Sequence, residues 1–125
     1  VVEDDPLVAE VLVAQLDPFL HGGAVAVAHD GESGLALAMG EPFDVVLLDL
    51  KLPRRSGVEL LAELRAATTE LPTVVVVSGE ASSDDWRLLA SMGARAILFK
   101  PVDPILFETT IHRFLGSDLA PSGPP

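Results

Sequence analysis

The stretch FDVVLLDLKLPRRSG, residues 43–57, decides how this chain is read. Its apolar run, Val45 to Leu48 with Leu50 beyond, is bounded by Pro42 and Pro53. A short continuous apolar run between turn signals is the pattern of a strand buried on both faces, as inside a parallel sheet. Asp49 stands at the end of that run. An acid at the mouth of such a strand is either a cap for the turn that follows or a reagent.

Working outward from this strand, short apolar segments also fall at residues 1–2, 24–28, 73–77 and 95–99, and a helical pattern follows each. In the first helix Val8, Val11, Leu12 and Leu16 are placed on one face, and Asp5-Pro6 supplies an N-cap and a first-turn proline. The third opens on Ser56-Gly57-Val58-Glu59, a capping box, and is expected to bury Leu60, Leu61 and Leu64. The fifth repeats the start with Asp103-Pro104 and carries Phe107, Ile111 and Phe114 on one stripe. Gly31, Gly40 and Gly93 punctuate the second and fourth. Five strand-then-helix repeats imply an α/β fold, with a parallel sheet covered by helices on both faces and linked by right-handed crossovers. The tail GSDLAPSGPP has linker composition, so the domain is drawn as residues 1–116, with 117–125 as a flexible tail.

The chain has 125 residues, of which 49% are hydrophobic, enough for one substantial core and too few for two ordinary domains. It contains no cysteine, so it offers neither a disulfide framework nor a thiolate metal site, and it is compatible with a reducing cytoplasm. Apolar runs fall far short of the roughly 20 residues of a membrane span, and no secretory signal pattern is visible. The chain opens on Val1-Val2, so the first strand is expected to begin upstream of this numbering. A formal charge of −11 with only eight scattered basic residues argues against nucleic-acid binding, which depends on clustered Lys and Arg.

In open parallel sheets the reactive groups collect at the carboxyl ends of the strands. There the sequence puts Glu3, Asp4 and Asp5 after the first strand, Asp49 after the third, Ser78 after the fourth, and Lys100-Pro101 after the fifth. Carboxylates so crowded stay partly protonated or hold a hard cation, for which magnesium is the natural candidate. Asp5 is better read as the N-cap before Pro6 than as a ligand.

The motifs VVEDDP, DLKLPRRSG, VSG and FKP, in that order from residue 1 to about 115, resemble the receiver domain of bacterial two-component response regulators. The resemblance implies a doubly wound, flavodoxin-like (βα)5 sandwich, with a five-stranded parallel sheet of order 2-1-3-4-5. It implies a regulatory domain rather than an enzyme in the ordinary sense. Asp49 would accept a phosphoryl group from a histidine kinase or histidine phosphotransfer protein. Mg2+ would be held by Asp4, Asp49, the backbone carbonyl of Lys51 and, through a water, Glu3. Ser78 and Lys100 would bind phosphoryl oxygens and drive the switch, and Pro101 would follow a cis peptide bond.

Other readings stand beside this one. A haloacid-dehalogenase-like phosphatase needs a second acid two residues after its nucleophile, where this chain has Lys51. A flavodoxin-like cofactor binder would cradle phosphate after the first strand, where Glu3-Asp4-Asp5 repels anions. The strongest alternative is a docking module with a receiver fold that acts without phosphorylation. Lys51, Arg54 and Arg55 read as a solvated loop; His21, His29 and His112 as surface histidines; Trp86 and Met92 as core or half-buried positions. A partner face, including a possible homodimer contact, is expected on the fourth helix, fifth strand and fifth helix, at Leu88, Ile97, Ile105 and Leu106. Ile97 stands where many receivers carry an aromatic residue.

Overall fold

A computed structural model describes residues 1–20 and 23–119. His21 and residues 120–125 lie outside them. Along the chain run α1 (Pro6–Leu16), a 3-10 turn (Asp17–Phe19), α2 (Gly31–Gly40), β1 (Val45–Leu48), α3 (Gly57–Ala67), β2 (Thr73–Ser78), α4 (Ser83–Ser91), β3 (Ala94–Phe99) and α5 (Pro104–Leu119). The strands form a parallel sheet of order β1-β2-β3, with Val45 opposite Thr73 and Val77 opposite Leu98.

The expected strands at 1–2 and 24–28 appear only as parallel bridges, from Val2 to Leu48 and from Val2 to Ala28. Their pairing joins Val1 to Glu3 with Ala26 to Ala28. The bonds made are Ala28 N–H to Val1 O, Glu3 N–H to Ala28 O and the Val1 amine to Ala26 O, each 2.9 Å. On the other side Val2 N–H donates to Leu47 O and Asp49 N–H donates to Val2 O, at 2.8 and 3.0 Å.

Alternation along the strands sorts the core into two layers. Val46, Leu48, Val74 and Val76 pack with Leu60, Leu61, Leu64 and Leu89, on the side of α3 and α4, with Leu35 and Leu37 of α2 against them. Leu47, Val75, Val77 and Leu98 pack with Leu12 and Leu16 of α1 and with Phe107 and Ile111 of α5. Val74 to Val77 are at most 1% exposed, and burial of each contributes about 1.5–3 kcal/mol over leaving it in water. Trp86 and Met92 are half-buried against the first layer.

The helix starts follow local chemistry. The Asp5 carboxylate accepts from Leu7 N–H at 2.9 Å, and Ser56 and Glu59 form a reciprocal capping box. Ser82 and Asp85 form a second box at α4, an S-x-x-D signal present in the sequence but not read there. One face assignment is corrected: Val11 is 54% exposed, and Ala9 is buried in its stead. At about 100° per residue, Val11 lies about 100° around α1 from Leu12, on the side away from Leu16, whereas Ala9 lies on the Leu16 side, within about 20° of it.

Candidate functional site

The polar residues sit where the buried strands end. Val2 is held between the 28 and 47–49 segments, so the next residue, Glu3, projects beside Asp49. Glu3 is 1% and Asp49 5% exposed. The loop after Asp49 folds back so closely that a Cβ on Gly57 would lie 2.3 Å from Asp49 O, and Gly57 N–H donates to Leu50 O at 2.9 Å. Gly31 is packed as tightly, with its notional Cβ 1.8 Å from Arg55 O. Glycine is needed at both positions because backbone occupies the side-chain space.

Lys100 enters from the end of β3. Its N–H donates to Ser78 O at 2.8 Å, the Lys100–Pro101 peptide is cis, and Nζ lies 3.0 Å from Asp49 Oδ2 and 2.5 Å from Glu3 Oε1. Asp49 Oδ1 accepts from Lys51 N–H at 3.2 Å, and Glu3 Oε2 accepts from Asp5 N–H at 3.1 Å. Burial raises the Glu3 carboxyl above its ordinary value and the charge of Asp49 adds to this, against the opposing pull of Lys100 and the Asp5 amide. Burial works to lower Lys100, but hydrogen bonds and charge from Glu3 and Asp49 outweigh it and hold the ammonium above its ordinary value.

Oxygens of Glu3, Asp4 and Asp49 all lie within 4.8 Å of one another, with Asp4 exposed. An oxygen-only donor set of this size, open on one side, suits a hard divalent cation that keeps waters. Ser78, 1% exposed, closes β2, but its hydroxyl donates to Glu80 O at 2.7 Å. Glu80 was not picked out in the sequence; its signal is its place two residues beyond the strand-end serine. Its carboxylate meets Lys51 Nζ at 3.0 Å. Arg55 departs from the solvated-loop expectation, being half-buried and paired with Glu63, while Arg54 is exposed with φ 70°. His29 and His112 are exposed, although His29 Nδ1 lies 2.9 Å from Glu3 O. On the expected partner face Leu88, Ile105 and Leu106 are 50%, 76% and 52% exposed, whereas Ile97 is half-buried against the core.

Strand-end acids, hydroxyl and lysine in this arrangement coincide with a family match: the response regulator receiver domain covers residues 1–112. The chain belongs to the response regulator receiver family. It is 35% identical over 118 residues to the protein PilH of Pseudomonas aeruginosa, covering 92% of this chain and 94% of PilH. To the transcriptional regulatory protein MalR of Bacillus subtilis it is 34% identical over 117 residues, or 91% of this chain; it spans about half of MalR's length, 48%. A similar solved structure is the receiver domain of a sensor histidine kinase from Pseudomonas aeruginosa, with a magnesium ion coordinated in its active site cleft. It superposes with a TM-score of 0.78 at 25% identity, over 92% of this chain and 93% of that one. Receivers are regulatory domains, and this one has the family's α/β fold with a parallel sheet. Among the described residues no helix is long and apolar enough to cross a membrane.

Proposed function

We propose that this receiver is a phosphorylation-dependent signalling switch in which Asp49 accepts a phosphoryl group from the histidine of a kinase or phosphotransfer protein. The observation that carries the reading is the Lys100 ammonium held against two buried carboxylates, Glu3 and Asp49, at the tips of a parallel sheet. An Asp49 carboxylate oxygen attacks phosphorus, the P–N bond to histidine breaks, and the imidazole leaves with its electron pair and takes up a proton. Lys100, already within reach of Asp49, pairs with a phosphoryl oxygen of the aspartyl phosphate, and the Ser78 hydroxyl donates to another.

The oxygens of Asp4 and Asp49, the Lys51 carbonyl and, through a water, Glu3 would hold Mg2+, which when bound offsets charge on the transferring group. The magnesium in the cleft of the kinase receiver supports this choice. The two Val2 bridges support the sheet order 2-1-3-4-5, with residues 1–3 between the 24–28 segment and β1. A receiver spanning residues 1–116 with a tail at 117–125, working in the cytoplasm without binding nucleic acid or membrane, completes the reading. Leu88, Ile105 and Leu106, with Ile97 at their border, would report phosphorylation to a partner or to a second copy.

Incubation with a small phosphodonor tests the reading by intact mass. One acid-labile phosphoryl group should appear with magnesium, none should appear with chelator, and Asp49→Ala should stay unlabelled. Magnesium should also raise the melting temperature of the wild type more than that of Asp4→Asn. Absence of label in the wild type would favour a docking module that works without phosphorylation.

A further inference from the structure

We propose that Glu80 is a positioning residue for Ser78, and that the Lys51–Glu80 ion pair across the mouth of the site biases the receiver toward its resting arrangement. The proposal rests on Asp49 as the phosphoryl acceptor. The Ser78 hydroxyl has one proton, and it is donated to Glu80 O at 2.7 Å. Glu80 N–H lies 3.3 Å from the same oxygen as a donor, so hydroxyl and loop backbone close on each other. Before Ser78 can donate to a phosphoryl oxygen on Asp49, residue 80 has to release it.

What holds residue 80 is its own carboxylate, 3.0 Å from Lys51 Nζ. Lys51 is in turn fixed beside the acceptor, because its N–H donates to Asp49 Oδ1. The pair therefore joins the loop that carries the acceptor to the loop that carries the hydroxyl. Gly79 lies between Ser78 and Glu80, and a Cβ built there meets nothing within 4 Å, so the loop has room to move. The phosphoryl group carries about −1.5 to −2 of charge, and because it replaces the single charge of the Asp49 carboxylate the site gains about −0.5 to −1 next to Lys51. That charge draws the ammonium from Glu80, frees residue 80 and lets Ser78 turn. Both side chains are largely exposed, at 75% and 81%, so the latch is a modest, salt-screened bias rather than a lock.

Glu80→Gln and Lys51→Met should each speed amide hydrogen exchange at Glu80, and label uptake from a small phosphodonor, by about two- to fivefold at low salt. About 1 M salt should erase the difference. Lys51→Arg, which keeps the charge, should behave as the wild type. Equal exchange and equal uptake in all four proteins at low salt would overturn the latch, as would differences that high salt leaves untouched. A wild type that takes no label overturns the acceptor reading itself, a result distinct from equal uptake in every variant.

Discussion

Along β2 the valines at 74–77 and the serine at 78 are equally buried, yet they are satisfied in different ways. The valines pack into apolar layers on alternate faces, while the serine closes its hydroxyl on the backbone of Glu80. The same change occurs from Leu48 to Asp49 on the neighbouring strand, where a buried leucine gives way to a buried carboxylate. The middles of the strands obtain stability from apolar burial, and their tips carry buried charge that costs stability unless it is paired. Separating the two regions by mutation therefore separates folding from function.

The largest effect should come from the middle. Phe107 is 1% exposed at the centre of the layer between α5 and the sheet, and Phe107→Ala should cost about 3–5 kcal/mol in denaturant unfolding. The fraction that stays folded should still take the label. Loss of labelling in folded protein would break the division between scaffold and site.

Removal of the cation should come next. Lys100→Met leaves Glu3 and Asp49 buried without their ammonium, at a cost of about 2–3 kcal/mol. The value is set below that for a fully buried pair because the Lys100 side chain is 23% exposed. Adding Glu3→Gln should recover part of the loss, and simple additivity in the double-mutant cycle would show that the contacts are not coupled.

The smallest effect concerns pH. Because the Glu3 carboxyl in the folded protein titrates above its ordinary 4.5, the native state binds more protons than the unfolded chain between 4.5 and that folded value. The Glu3 contribution to stability therefore falls as pH rises through that window. In chelator, Glu3→Gln should flatten this part of the profile and be no less stable than the wild type above it. A profile of unchanged slope would remove Glu3 as its source.

How much of this was legible in the sequence depended on whether the signal was local. The Asp5-Pro6 start and the Ser56 capping box are short-range hydrogen-bond patterns, and both form as read. Asp49 could be picked out because an acid ending an apolar run is costly without a counter-charge. The pattern could not show which acid would meet Lys100, since that contact spans 51 residues. Nor could it show that Gly57 is required by the Asp49 carbonyl, or that Ser78 is engaged by Glu80, because both follow from how loops fold back. The 24–28 segment was read as a strand from its apolar run, and what forms among the described residues is a bridge from Ala28 to Val2 with hydrogen bonds to Val1 and Glu3. At the start of α5 Ile105 and Leu106, both placed on the expected partner face, are exposed, because Phe107, Thr110 and Ile111 fill the inward face.

The most direct test locates the phosphoryl group among the acids at the sheet's tips. The labelled protein would be reduced with borohydride, which converts an aspartyl phosphate to homoserine, then digested and sequenced by mass. A single conversion at Asp49, with Glu3, Asp4 and Asp5 unchanged, is the predicted result. Conversion at one of those three, with Asp49 intact, would contradict the assignment of the acceptor to the end of β1.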